Sequence, residues 1–237
     1  MLTRFKIPKT LLWVFNLLLI FLLIFTLYRL VTCIAFKPGS ISASDAVPSF
    51  LMGIRYDLRW IAFILLPIVL FSLWPKLSPF YSARNKKGWT WYLAVVTFIV
   101  FVFFAAGFGS FSYNKTPLDA GAMNFAEDFR ISWKMIKQTY PLFWMLLGLV
   151  VAMLFFRWMY HRSHWQVINR TDGMGIPYRR KFFVLAAAIL FLFTWGNLSW
   201  PPLSRNDCFR FNSSFKSYLA LNPLQSFFAT LKLRKPE

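Results

Sequence analysis

Five stretches of the chain are almost wholly apolar, and the polar residues gather between them. A bilayer core about 30 Å thick needs roughly 20 apolar helical residues. The runs at about 11–35, 58–74, 89–109, 141–160 and 182–199 approach or exceed that length. The second is the shortest, because Pro67 sits inside it and Trp74-Pro75 closes it. Proline is tolerated in a spanning helix where neighbours satisfy the freed carbonyl, so five spans are predicted. The predicted fold is therefore all-α: a polytopic membrane bundle of five transmembrane helices over residues 1–200, plus short interfacial amphipathic helices. Residues 201–237 read as an extracytoplasmic hinged linker.

Two segments outside the runs carry helical patterning of their own. In the link from Ser110 to Tyr140, "NFAEDFRISWKMIKQTY" places Phe125, Phe129, Trp133 and Ile136 at helical spacing, with Glu127, Arg130, Lys134 and Lys137 on other faces. Such a helix can lie in the membrane interface. The tail repeats the pattern with Phe211, Phe215, Tyr218 and Leu219, then, after a break, Leu224, Phe227, Phe228 and Leu231. At the break, Asn222 is a helix-capping residue, Pro223 suits a first helical position, and Gln225 stands where a capping-box partner would. Asn222 and Pro223 are thus the expected hinge between two short helices, a geometry suited to carrying a further domain.

Composition agrees with the pattern. The chain is 58% hydrophobic and only 15% charged, whereas charged residues make up roughly a quarter of a soluble domain. The formal charge of +19 does not point to nucleic acid, because the basic residues form short clusters between apolar runs, as suits anionic lipid headgroups. Arg4, Lys6 and Lys9 precede the first run; Arg84, Lys86 and Lys87 separate the second and third; Arg157, Arg162, Arg170, Arg179, Arg180 and Lys181 surround the link between the fourth and fifth. The alternate segments hold Asp45, Asp57, Asp119, Glu127, Asp128 and Asp207 among their bases. The positive-inside rule then predicts a cytoplasmic N-terminus and an extracytoplasmic C-terminus. Tryptophans near the run ends, such as Trp60, Trp74, Trp89 and Trp158, read as interfacial anchors. The basic start lacks a small-x-small cleavage site after its long apolar run, so it is expected to stay as a span. Two cysteines, Cys33 and Cys208, are too few for a disulfide framework and read as packing residues, with one disulfide left open in an oxidising compartment.

Candidate chemistry is sparse. His161 and His164 stand at i,i+3 beside Arg157 and Arg162 and read as a solvated helix end. No phosphate loop, nucleophile elbow or metalloprotease helix is present, and no cofactor or metal is expected within this chain. The best polar candidate is "GIRYDLR": Arg55 and Arg59 share a helix face, with Asp57 roughly opposite. Charges at the start of a span either snorkel to the interface or meet partners in the bundle. The functional alternative is that Arg55 or Arg59 holds a lipid phosphate bidentately while Asp57 orients one of them. Arg29 and Asn197 face the same choice between bundle contact and interface.

The stretches "FLMGIRYDLRWIAFILLP" and "WPPLSRNDCF…LALNPLQSFFATLKLR" resemble the membrane portion of lipoteichoic acid synthase-like proteins. These are bacterial transferases of the alkaline phosphatase and sulfatase superfamily. The resemblance implies five spans in a bacterial cytoplasmic membrane, an extracytoplasmic linker, and then a soluble C-terminal sulfatase-like domain with a metal-bound nucleophile, expected beyond Glu237. It implies a membrane anchor and lipid-donor platform for a phosphoglycerol or phosphoethanolamine type transferase, with membrane phospholipid as partner. Divalent metal belongs to that further domain, and the present chain is expected to be catalytically inert. The rivals are a small transporter or channel, which would want intramembrane acids or a repeat between halves, and an assembly protein that recruits a partner.

Overall fold

The computed structural model describes residues 7–39, 41–123, 134, 137, 142–170, 179–197, 200, 202–211 and 213–231. All regular structure among them is helical. Five long helices come first: α1 (Lys9–Phe36), α2 (Ala43–Phe71), α3 (Ala83–Asn114), α4 (Leu142–Arg170) and α5 (Arg179–Trp195). Two short ones follow, α6 (Ser214–Ala220) and α7 (Pro223–Leu231). Short 3-10 turns occur at Pro75–Leu77, Ala120–Met123 and Arg205–Arg210. Apart from Lys134 and Lys137, the expected interfacial helix at 124–140 lies outside the described residues.

Among the described residues, three helices are long and apolar enough to cross a bilayer: Lys9–Phe36, Ala83–Asn114 and Phe143–Asn169. That is fewer than the five expected, and the reasons are local. The apolar end of α2 begins with Arg55, Asp57 and Arg59, and α5 spans only 17 residues. Large apolar side chains stay exposed along α4, among them Phe143, Trp144 and Leu154. An apolar surface of this extent suits contact with lipid tails rather than water.

The helix limits follow local chemistry. α2 starts fifteen residues before the expected span, because Ser42 and Asp45 form a reciprocal cap. The Ser42 N–H donates to the Asp45 carboxylate at 3.3 Å, and the Asp45 N–H donates to Ser42 Oγ at 3.3 Å. The helix then runs unbroken through Pro67. α5 stops at Trp195 because Gly196 takes a positive φ of 75°, the left-handed termination that glycine adopts without strain. A β-carbon there would approach Leu203 Cβ to 2.8 Å, so only glycine fits.

The chain forms two compact units. The first comprises Met1–Tyr28, Ile54–Val96 and Phe156–Leu203. Its core is built from fully buried Trp13, Leu17, Phe21, Ile61, Leu93, Tyr160 and Phe183, with Phe21 stacked on Tyr160. Hydrogen bonds tie its helices together: the Tyr92 hydroxyl donates to the Ile64 carbonyl at 2.9 Å, and Thr10 meets Ser78 at 3.0 Å. Such bonds matter in lipid, where apolar contact between helices gains little over contact with acyl chains.

The second unit comprises Arg29–Gly53, Thr97–Phe155 and Ser204–Glu237. Here Ile41, Ala46, Phe111, Phe215 and Leu219 make the core, with Cys33, Phe36, Phe50 and Tyr218 packed against it. The helices α6 and α7 are thus packed parts of this unit, and Phe227 and Phe228 of α7 also meet Phe103 of α3.

Candidate functional site

In the first unit, the sequence-predicted residues converge on the segment that follows α5. Arg55 and Arg59 sit one turn apart on α2 and reach the two ends of the 196–203 link. The Arg55 guanidinium donates to the Gly196 carbonyl at 3.2 Å and also to Asn197 Oδ1. Arg59 donates to the Leu203 carbonyl at 2.6 Å. The link is closed on itself by the Leu203 N–H donating to the Trp195 carbonyl at 3.0 Å. Two cations therefore bracket one loop at a helix C-terminus, where the last carbonyls have no helical donors and carry partial negative charge.

The three charged residues differ in environment. Arg55 is exposed, Arg59 is half-buried and Asp57 is fully buried. Asn197, whose role the sequence left open, is thus an arginine partner. Both guanidinium groups are directed at protein, Arg55 with an exposed side chain and Arg59 half-buried.

The hinge residues lie in the second unit. Leu221 is extended, with φ −79° and ψ 134°, which ends α6. Asn222 Oδ1 accepts the Gln225 N–H at 2.7 Å, capping α7, with Pro223 at its first position. The corner is buried, with Ala220, Leu221, Asn222 and Ser226 all at 5% exposure or less, so it is a packed joint. The preceding 3-10 turn carries the Asp207 carboxylate, which accepts the Ser204 N–H at 2.7 Å and pairs with Arg210 at 3.1 Å.

The sequence left Arg29 between bundle contact and interface, and the contact it makes is with this joint. Arg29, only 3% exposed, donates to the carbonyls of Leu219 and, at 2.9 Å, Ala220. The signal was an arginine deep in an otherwise apolar run, together with a glycine, Gly53, whose reason for being small was not legible.

The remaining candidates carry little chemistry. His161 is exposed, but His164 is buried rather than solvated, stacked on Phe80 at 4.3 Å, edge-on to Trp13 and 3.4 Å from the Pro79 carbonyl. Cys33 and Cys208 are both free thiols. Burial pushes the Cys208 thiol up to about 11, against the smaller opposing influence of Arg205. Among the described residues, no three of His, Cys, Asp and Glu gather where a metal ion could be held. A shallow cleft on the tail is lined by Phe209, Phe211, Ser213, Ser214, Ser217 and Tyr218, which offers hydroxyls and rings but no metal ligand. Compared with family models, curated proteins and solved structures, the chain matches none.

Proposed function

We propose that this chain is the membrane anchor of an extracytoplasmic enzyme of the sulfatase-like headgroup transferase type. In this reading α1 to α5 all cross the bilayer, with the N-terminus cytoplasmic, and residues 201–237 are the connector to a catalytic domain. The observation that carries it is the use made of Arg55 and Arg59. Both arginines are directed at the link after α5, which is what a protein needs if the orientation of the following segment matters. The buried α6–α7 corner supports the same reading. Membrane phospholipid is the proposed partner, with exposed Arg55 as the headgroup contact and Asp57 and Arg59 as its support.

The lipid role is tested by native mass spectrometry of the chain released from native membranes. Parent protein and Arg59→Ala are expected to retain phospholipid, and Arg55→Ala to lose most of it. Equal retention by all three removes the lipid site. The anchor role is tested separately by membrane-impermeant labelling of single cysteines placed at residues 3 and 235 in whole cells. Labelling of the second alone is expected, and both sites on one side of the membrane would overturn the anchor topology.

A further inference from the structure

A charged side chain inside an apolar bundle is costly and persists where defined partners take up its charge. Arg29 is such a residue, in the C-terminal half of the apolar run that forms α1. It is far enough along the helix to snorkel towards the interface, yet it is 3% exposed. Its guanidinium turns to the last two carbonyls of α6, those of Leu219 and Ala220. Carbonyls at the end of a helix have no helical donor, and in a buried setting they need one from elsewhere.

Gly53 on α2 makes this arrangement sterically feasible. A β-carbon at position 53 would overlap the carbon and two nitrogens of the Arg29 guanidinium. An alanine there would force Arg29 to withdraw from its carbonyls, because the guanidinium is the group that has to move. Around the contact, Phe215 and Leu219 pack on Ile41, Ala46 and Phe111. Asn222 caps the next helix directly after the two carbonyls that Arg29 binds.

We propose that Arg29, seated in the slot left by Gly53, is a latch that locks the α6–α7 joint onto the Arg29–Gly53 part of the second unit and so fixes the course of the tail helices within that unit. The latch consists of the second unit's own residues. It makes the joint two-state: docked with Arg29 bound, or released with Arg29 withdrawn. Leu219 and Ala220 are its strike plate, and the 3-10 turn at Arg205–Arg210 moves with them, because Phe209 meets Tyr218 of α6 edge-on.

Cys208 reports the state of the latch. It is fully buried in that turn, and with Cys33→Ser as background it is the sole thiol. In the purified full chain in lipid nanodiscs, Arg29→Gln is expected to raise the rate of maleimide labelling at Cys208 by roughly tenfold, the signature of local opening. Arg29→Lys, which keeps a cation for one carbonyl, is expected to fall between. Gly53→Ala, which alters no charge, is expected to accelerate labelling when Arg29 is present and to add nothing in the Arg29→Gln background. Parent-like labelling in both Arg29→Gln and Gly53→Ala overturns the latch. So does a Gly53→Ala effect that persists undiminished without Arg29. Should Arg29→Gln fail to fold, Gly53→Ala compared between the Arg29 and Arg29→Lys proteins decides: a smaller effect with lysine supports the latch, and an equal effect overturns it.

Discussion

At the scale of single residues, a sharp constraint falls on one position whose side chain does no chemistry. Gly196 combines a positive φ with a close approach to Leu203. Gly196→Ala is expected to destabilise the chain by about 1–3 kcal/mol, the usual cost of holding a non-glycine residue in the left-handed region. Gly88→Ala, with nothing near its missing β-carbon, is expected to be neutral or stabilising by up to about 1 kcal/mol. Thermal melts of the two variants in one detergent check the contrast. Cys208 supplies the pH dependence. Its thiol is held up at about 11, chiefly by burial, so the folded chain binds that proton more tightly than the unfolded chain does. The resulting stabilisation is complete below the ordinary thiol range and is lost as pH rises towards 11. Unfolding midpoints between pH 8 and 11 should therefore fall less steeply in Cys208→Ala than in the parent.

At the scale of elements, the ends of helices carry the information. The reciprocal cap of Ser42 and Asp45 extends α2 well upstream of its apolar run, to Ala43. The Ser-x-x-Asp spacing was in the sequence, but hydropathy alone located only the apolar half. Asn222 shows the opposite case, where residue chemistry predicted the cap that is found. Asn222→Ala is expected to cost about 1 kcal/mol through loss of that cap. Helicity followed by circular dichroism during thermal unfolding would show it as a lowered midpoint. The clamp on the 196–203 link should be asymmetric. Half-buried Arg59 leaves a carbonyl unpaired when removed, at roughly 1.5–3 kcal/mol for a charged hydrogen bond, while exposed Arg55 contributes far less. Arg59→Ala should thus lower the melting temperature clearly more than Arg55→Ala, the reverse of their proposed order in lipid retention.

At the scale of the whole molecule, the membrane character rests on the three long apolar helices and on the exposed apolar surface of α4. The proposed five crossings require that α2 enter the bilayer with Arg55, Asp57 and Arg59 near one end, where interfacial water and protein carbonyls share their charge. If so, extending the apolar part of α5 by inserting two leucines after Leu190 should leave the side on which residue 235 is labelled unchanged. Replacing Leu65 and Ile68 with arginine should abolish insertion of α2 and change it. Impermeant labelling of the two variants distinguishes a crossing α2 from one that stays at the surface.

Apolar runs, charge clusters and the Leu-Asn-Pro break were enough to define an all-helical membrane chain with a jointed tail, because run length and backbone capping are local properties. They could not assign partners to the charges. Arg29, Arg55 and Arg59 all sit on the first two long helices, while their carbonyl partners lie 141 to 191 residues later in the chain, and periodicity says nothing about contacts at that separation. Only the folded chain shows that Gly53 is small because an arginine passes it. The buried setting of the hinge was likewise invisible, since Asn, Pro and Gln look like surface residues until Asn222 Oδ1 is seen accepting the Gln225 N–H in a buried corner.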